Sequence, residues 1–227
     1  MKTLVLDTSS EVLVIGLVDG HTIAWECQHR GIRDHISKVF EKIEEGLNAC
    51  SWGVADIARV ICGVGPGSFT GLRIGVSALK GMFACRDVEA FRVSSLDALA
   101  HGLVAPSVLA LTDARRESVY ATWFDGERRR MPEGLYSIEE VSQWGEDNDE
   151  VITLVGDACS LCEARLRAAW EKTIVVPARD GAIPSIKGFL SCVEKGLCLS
   201  VALSDMMPQY IRLSAAEEAK QEGMNNE

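Results

Sequence analysis

The sequence predicts an α/β protein made of two similar halves, each with a mixed sheet and flanking helices. Apolar runs and an amphipathic helical pattern alternate through the first hundred residues, and the opening pattern returns about one hundred residues later. The chain has 227 residues, of which 47% are hydrophobic and 25% charged. This length and composition are sufficient for two small domains with cores of their own.

The first half opens with three predicted strands. An apolar run at 3–6 ends in the polar turn 7–10, and a second apolar run at 12–18 closes at the hairpin signal Asp19-Gly20. A third strand follows at 22–27. The Asp19-Gly20 turn predicts that the second and third strands form a hairpin.

Two helices and one further strand complete the first half. Apolar residues at steps of three and four predict an amphipathic helix at 35–50, with Asp34 as its N-cap. A buried strand at 58–63 follows, and then a helix from 69 to 85. Three strands followed by helix, strand and helix fit an α/β domain with a mixed sheet.

The stretch GVGPGSFTGLRIG at 63–75 links that strand to the second helix. It lacks the lysine of a P-loop, and its glycine spacing is not that of a dinucleotide fingerprint. The loop is therefore weak support for a phosphate cradle, and a structural role explains it at least as well. In that role Pro66 fixes φ, and Gly65 and Gly67 permit the sharp reversal of the chain. Ser68 or Thr70 then caps the helix.

The helix at 69–85 carries two faces without charge. One consists of large apolar residues, and the other is mostly small, with Gly71, Gly75, Ala78 and Met82. A helix buried on one side requires only one apolar face. Two interpretations follow: the helix is enclosed within its own domain, or the sheet covers one face and a partner helix covers the other.

The second half repeats the first in shortened form. Residues 110–113 correspond to 4–7, and Asp125-Gly126 corresponds to Asp19-Gly20. A helical stretch at 137–144 and an apolar strand at 151–155 follow. The predicted domains are 1–108 and 109–213, and the tail 214–227, rich in Glu, Asn and Gln, is predicted to be disordered.

This layout is typical of the duplicated actin-like (ribonuclease-H-like) ATPase superfamily, in which the two opening turns face each other around nucleotide phosphates. The first turn supplies the acidic and small residues of such a clamp in Asp7, Thr8 and Ser9. The second turn carries Arg115 and Arg116, which are bulky where glycine would let the backbone approach. We expect a degenerate clamp with weak or vestigial ATP or ADP binding, the alternative being a small-molecule kinase or ATPase.

The sequence shows no grouping of residues that is typical of a catalytic or metal-binding site. The four histidines include no H-x-x-x-H pair, and Cys159 and Cys162 form a lone C-x-x-C without further ligands. The N-terminus lacks a signal-peptide pattern and no apolar run reaches membrane-spanning length, so a cytoplasmic protein is expected. The formal net charge of −10 opposes RNA binding by this chain alone.

Several motifs together resemble the bacterial TsaB (YeaZ) family over residues 1–213. The resemblance is carried by Asp7-Thr8, by His35 at the start of the first helix, and by four longer blocks. These blocks are the glycine loop 65–75, Ser94-Ser95-Leu96-Asp97, Asp113-Ala114-Arg115 with Val119-Tyr120, and Pro208-Gln209-Tyr210-Ile211-Arg212.

The resemblance implies a non-catalytic subunit that activates TsaD in transferring threonylcarbamoyl to adenosine beside the tRNA anticodon. It also implies that TsaE joins the complex, that tRNA is contacted only through the complex, and that the chain alone forms a homodimer. No membrane partner is implied. The helices near 35–50 and 69–85 would form the interface, with His35, Val39, Gly71, Gly75, Ala78 and Met82 as its residues.

Overall fold

The computed structural model describes residues 1–31, 35–144, 151–170, 174–176 and 183–212, and the side chains of His35 and Ile36 are outside this description. The proposed cap Asp34 and the tail 214–227 lie outside the described residues. No helix within the described ranges is long and apolar enough to cross a membrane.

The first sheet has six strands in the order β11-β5-β4-β1-β2-β3. β1, β2 and β3 form an antiparallel meander that includes the predicted hairpin, β4 pairs with β1 in parallel, and β5 pairs with β4 in parallel. The predicted third strand is longer than expected and ends at Arg30. The strands are β1 Lys2–Asp7, β2 Val12–Asp19, β3 Thr22–Arg30, β4 Arg59–Gly63, β5 Glu89–Val93 and β11 Cys198–Val201.

Helices cover both faces of this sheet. On one face lie α1 (His35–Ala49) and α2 (Phe69–Phe83), whose apolar residues pack on alternate residues of β1 and β2. On the other face lie α3 (Ser95–Ala100) and α6 (Ile186–Glu194). Because successive strand residues point to opposite faces, the nearly continuous apolar runs of β1 and β2 supply both cores.

The second sheet repeats this arrangement with five strands in the order β10-β9-β6-β7-β8. β6, β7 and β8 form an antiparallel meander, and β9 and β10 add to β6 in parallel. Two mixed sheets of matching strand order confirm the predicted duplicated α/β fold. The strands are β6 Ser107–Asp113, β7 Ser118–Asp125, β8 Arg128–Ser137, β9 Ile152–Val155 and β10 Ile174–Val175.

The outer face of the second sheet is covered by α4 (Ile138–Gln143) and α5 (Cys159–Ala169). Its inner face packs on α3, whose residues are all buried. Helix α3 therefore lies between the two sheets, with one side in each core. This short helix is the central element of the domain junction.

The chain returns to the first domain after the second sheet, which differs from the expected extent of the second domain. Helix α6 packs on the first sheet, and β11 pairs with β5 at its edge. Residues 203–212, here called the C-terminal strap, then run along α2 to the second domain. A repeat pattern could not reveal this return, because α6 and β11 cover a face and an edge that the first half leaves open. The division at residue 108 stays a prediction.

Candidate functional site

The first turn is built around the buried carboxylate of Asp7, which is 1% exposed. Its Oδ1 accepts hydrogen bonds from the Ser9 amide at 2.9 Å and the Ser95 hydroxyl at 3.2 Å, and its Oδ2 accepts from the Ser9 hydroxyl at 3.0 Å. Burial raises the pKa of Asp7, although these hydrogen bonds act in the opposite direction. Asp7 therefore holds the turn together from inside the domain.

Thr8, which is fully buried, fixes the turn to helix α2. Its hydroxyl donates to the carbonyl of Gly71 at 2.7 Å. A Cβ on Gly71 would overlap the carbonyl oxygen of Thr8, and a Cβ on Gly75 would overlap its hydroxyl. The small residues of α2 are thus required by close contact between the helix backbone and the first turn.

The glycine loop lies directly on the same turn. The Ser68 amide donates to the Ser9 carbonyl at 2.6 Å, and a Cβ on Gly67 would overlap that carbonyl. The Ser68 hydroxyl accepts from the Gly71 amide at 3.2 Å, so Ser68 is the N-cap of α2. Of the two proposed capping residues, Thr70 lies instead within the first helical turn and is exposed.

The opposite side of the loop is held by α3 and the C-terminal strap. The Gly65 carbonyl accepts from the Ser95 amide at 2.7 Å, and the Val64 carbonyl accepts from the Gln209 amide at 2.7 Å. Gly65 has a φ of 105°, a conformation that favours glycine, and its bond to Pro66 is cis. The predicted reversal is therefore present.

The second turn has a different backbone. Arg115, Arg116 and Glu117 have φ values of 65°, 55° and 58°, which side-chain-bearing residues rarely adopt. The Asp113 carboxylate accepts from the Arg115 amide at 2.7 Å and lies 3.3 Å from the Arg115 guanidinium. Glycine would be the ordinary residue at these three positions, whereas this turn carries three long side chains.

A cleft of about 480 Å³ separates the two turns. Three carboxylates and two guanidinium groups face it, so its charged groups do not favour an anion. Seven further residues, uncharged at neutral pH, complete the lining. The lining consists of Ser9, Ser10, Glu11, Arg30, Gly67, Ser68, Thr112, Asp113, Ala114, Arg115, Tyr120 and Asp157.

This lining corrects the expected placement of the phosphate-turn residues. Ser9 reaches the cleft, but Asp7 and Thr8 are absent from its lining and are buried behind the turn. The sequence identified a strand followed by an acidic turn, but it could not show that the carboxylate points back towards α3. A carboxylate in that position cannot coordinate an ion in the cleft without rearrangement of the turn.

The structure also corrects the orientation of the predicted interface residues. Val39 and Ala78 belong to the core under the first sheet, and Gly71 and Gly75 face Thr8. Their placement on an outward face was wrong, because the small face of α2 packs on the first turn. Met82 is partly buried against the same core, and the side chain of His35 lies outside the described residues. An interface at the helix pair itself stays a prediction.

Several other residues of the helix pair are exposed, including charged residues of α1 such as Glu41 and Glu44. The first of these to be considered are Arg73, Ser77 and Gly81 on α2 and Ala84 directly after it, and a Cβ on Gly81 would have no neighbour within 4 Å. On α1 the side chain of Phe40 is 52% exposed. We call these five residues the outer helix face. It combines small residues with an exposed aromatic ring.

Sequence reasoning missed two groups at the domain boundary. Phe69 stacks on Tyr210 with ring centroids 4.4 Å apart, and Arg73 donates to the Tyr210 hydroxyl at 2.9 Å. These contacts fasten the strap to α2. The second group, Asp97 with Arg129 and Glu133, joins α3 to β8. Both link residues far apart in the chain, which local patterns do not reveal.

The C-x-x-C residues lie in the core of the second domain. Cys159 and Cys162 are on α5 and face the second sheet, and burial raises their pKa values to about 12 and about 11. Within the described ranges, no three His, Cys, Asp or Glu side chains are arranged to hold a metal ion. The geometry fits the packing role for these thiols.

Comparison with known proteins agrees with this fold. Residues 27–155, more than half of the chain, match the family model described as TsaD, tRNA N6-adenosine threonylcarbamoyltransferase. The chain belongs to this TsaD-like family. Within the family it groups with TsaB, also named YeaZ.

The TsaB grouping is based on sequence and fold. The TsaB protein of Bacillus subtilis is 26% identical over 96% of this chain and 96% of its own length. That of Escherichia coli is 31% identical, over 62% of this chain and 60% of its own length. The solved structure of YeaZ from Pseudomonas aeruginosa superposes with a TM-score of 0.77 at 22% identity, over 92% of this chain and 99% of that one. The shared architecture is the pair of mixed sheets with flanking helices.

Proposed function

We propose that this protein is a non-catalytic partner subunit that binds and activates TsaD. In this role it supports transfer of threonylcarbamoyl to adenosine next to the tRNA anticodon, in the cytoplasm. The single observation on which the proposal depends is its grouping with TsaB proteins, which are named for tRNA threonylcarbamoyladenosine biosynthesis. TsaE is proposed as a third component, and tRNA as a ligand of the complex only.

The outer helix face supports association through α1 and α2. Partner helices pack closely where small side chains let the backbones approach, and Ser77, Gly81 and Ala84 are small and exposed. Phe40 adds a large apolar group of the kind that anchors interfaces. We propose that this face binds TsaD, and that in the absence of TsaD it binds a second copy of the chain.

The interdomain cleft supports the non-catalytic part of the proposal. Asp7, the carboxylate that would hold a metal ion at the first turn, is buried and occupied by hydrogen bonds from Ser9 and Ser95. Arg115 faces the cleft together with the carboxylates of Asp113 and Asp157. We propose that ATP or ADP binds weakly or not at all. The kinase or ATPase alternative has less support, because it requires both turns to be open to phosphate.

The proposal is tested by mixing the purified chain with TsaD from the same organism. Size-exclusion chromatography with light scattering is expected to show a homodimer of the chain alone and a heterodimer in the mixture. Isothermal titration with ATP and Mg²⁺ measures nucleotide binding separately. No association with TsaD at micromolar concentration would contradict the partner role, and submicromolar ATP binding with hydrolysis would favour the alternative.

A further inference from the structure

A second depression lies between the second turn and helix α5, beside the interdomain cleft. Its volume is about 690 Å³. The second turn and the start of β7 line one side, the first residue of α4 and one side of α5 line the other. We call this depression the second-turn groove. Neither the cleft nor the outer helix face accounts for it.

The floor of the groove is apolar. Leu161 on α5 is 55% exposed, and Ile138 and Ala164 lie beside it in the lining. Aliphatic surface of this kind gains free energy when small apolar side chains cover it. The floor therefore suits alanine-sized groups better than polar ones.

The rim of the groove carries three guanidinium groups and two carboxylates. The Arg115 guanidinium already faces a carboxylate, since it lies 3.3 Å from Asp113. Arg116 on the turn and Arg165 on α5 are exposed, and Glu117 is the remaining carboxylate. The rim thus has an excess of positive charge in a chain whose formal net charge is −10. Rim and floor together fit an acidic segment that also contains small apolar residues.

The last described residue lies next to the second turn. The Arg212 guanidinium donates to the Ala114 carbonyl at 3.0 Å, and Ala114 directly precedes Arg115 of the rim. Ile211 packs on the inner face of the second sheet, whereas α4 and α5 cover the outer face, so the following residues must pass the turn to reach the groove. At about 3.4 Å per residue, roughly five residues span about 17 Å, which is sufficient.

The sequence beyond Arg212 has the composition that the groove requires. It reads LSAAEEAKQEGMNNE. Glu217 and Glu218 are flanked by alanines on both sides, and Lys220 follows. The two acids match Arg116 and Arg165, the alanines match the floor, and the lysine matches Glu117. A segment that does not fold alone can be ordered by the surface that it binds.

We propose that residues 214–220 bind in the second-turn groove of their own chain. Glu217 and Glu218 then lie against Arg116 and Arg165, and the alanines cover Leu161. Individual exposed ion pairs are weak, but attachment at Arg212 holds the segment near the groove at an effective concentration of about millimolar order, so weak contacts suffice. While it is bound, the segment closes the groove to acidic segments of other proteins.

NMR of the full-length chain with labelled alanine and leucine methyl groups tests this contact directly. At low ionic strength we expect NOEs from the alanines of 214–220 to Leu161 and Ala164, which weaken at high salt because exposed ion pairs are screened. The absence of these NOEs at low ionic strength would overturn the proposal. Samples that mix differently labelled chains identify the donor of the segment, and NOEs found only between chains would overturn it in favour of a second copy.

Charge reversal in the full-length chain tests recognition by the rim. We expect Arg165→Glu to reduce the NOE intensities at least threefold. The matched control is Arg128→Glu, at an exposed position on β8, which should keep them. The double variant Glu217→Lys with Glu218→Lys should lose them without altering any described element. NOEs that survive both the Arg165 variant and the double variant would overturn the proposal.

Addition of unlabelled TsaD examines the other occupant of the groove. We expect the methyl resonances of Leu161 and Ala164 to respond to the double variant in the absence of TsaD. If they respond to TsaD and never to the changes at Glu217 and Glu218, the groove belongs to that partner, and the proposal is overturned.

Discussion

At Gly71 the backbone of α2 approaches Thr8 so closely that no side chain fits between them. Ten residues later, Gly81 on the same helix has open space around it. Substitution by alanine at these two positions should therefore have opposite effects on the free energy of unfolding. This pair separates the packing role of the glycine loop from general effects of glycine on helix stability.

We expect Gly71→Ala to lower the free energy of unfolding by about 1–3 kcal/mol, because the added methyl group must displace the Thr8 carbonyl. Gly81→Ala should raise it by about 0.5–1 kcal/mol, because alanine restricts the unfolded chain and favours the helix. Urea unfolding followed by circular dichroism measures both. A Gly71→Ala variant with unchanged stability and reduced nucleotide affinity would show that the loop holds phosphate.

Residue types were easier to predict than side-chain directions. Ser68 caps α2 as the loop sequence indicates, because capping depends on neighbouring residues. The burial of Asp7 depends on Ser95, 88 positions away in the chain. No local pattern in the sequence contains that contact.

At the scale of the elements, α1 and α2 were predicted within two residues of their ends. Their spacing of apolar residues determines which side packs on the sheet, and Leu72, Val76 and Leu79 are buried as expected. The small residues of α2 were assigned to the wrong surroundings, because small side chains suit contact with a partner helix and contact with a turn equally well. Only the sheet topology distinguishes these two cases.

The outer helix face allows a prediction of how a charge on α2 affects association. Gly81→Glu places a carboxylate where the isolated domain has free space, so the fold should be retained. If that face is covered by TsaD, the charge loses water without gaining a counter-ion, and association should weaken by at least about 2 kcal/mol, roughly thirtyfold. Light scattering and titration calorimetry measure the dimer and the TsaD complex.

The matched control is Ala168→Glu, which adds the same charge to an exposed position on α5 of the second domain. This variant should associate as the wild type does. If Gly81→Glu remains folded and still binds TsaD with wild-type affinity, the interface lies elsewhere on the protein.

At the scale of the whole molecule, the duplication was predictable because the two halves repeat the same turns at the same spacing. The return of the chain from the second domain to the first was not predictable. Helix α6 and β11 complete the first domain from the C-terminal side, and Met206 of the strap is fully buried in the first core. These contacts depend on long-range packing, for which the sequence contains no periodic signal.

Glu133, which lies on β8 at the domain boundary, gives a prediction of how the stability of the whole molecule depends on pH. Because the pKa of Glu133 is raised to about 7 in the folded state, the folded chain binds a proton more tightly than the unfolded chain. The contribution of Glu133 to stability is therefore present at low pH, and it is lost as the pH rises from about 4.5 through 7. Glu133→Gln should flatten this part of the profile measured by urea unfolding, and an unchanged slope would contradict it.

The central claim is that the chain acts through TsaD and not by its own chemistry. The most direct measurement is the initial rate of threonylcarbamoyl transfer to tRNA, with tRNA and an activated threonylcarbamoyl donor, for the chain alone, TsaD alone and both together. We expect no product above a protein-free blank with the chain alone. We also expect a rate with both proteins that exceeds TsaD alone at least tenfold and saturates with added chain. Transfer by the chain alone, or a TsaD rate that does not respond to it, would contradict the account.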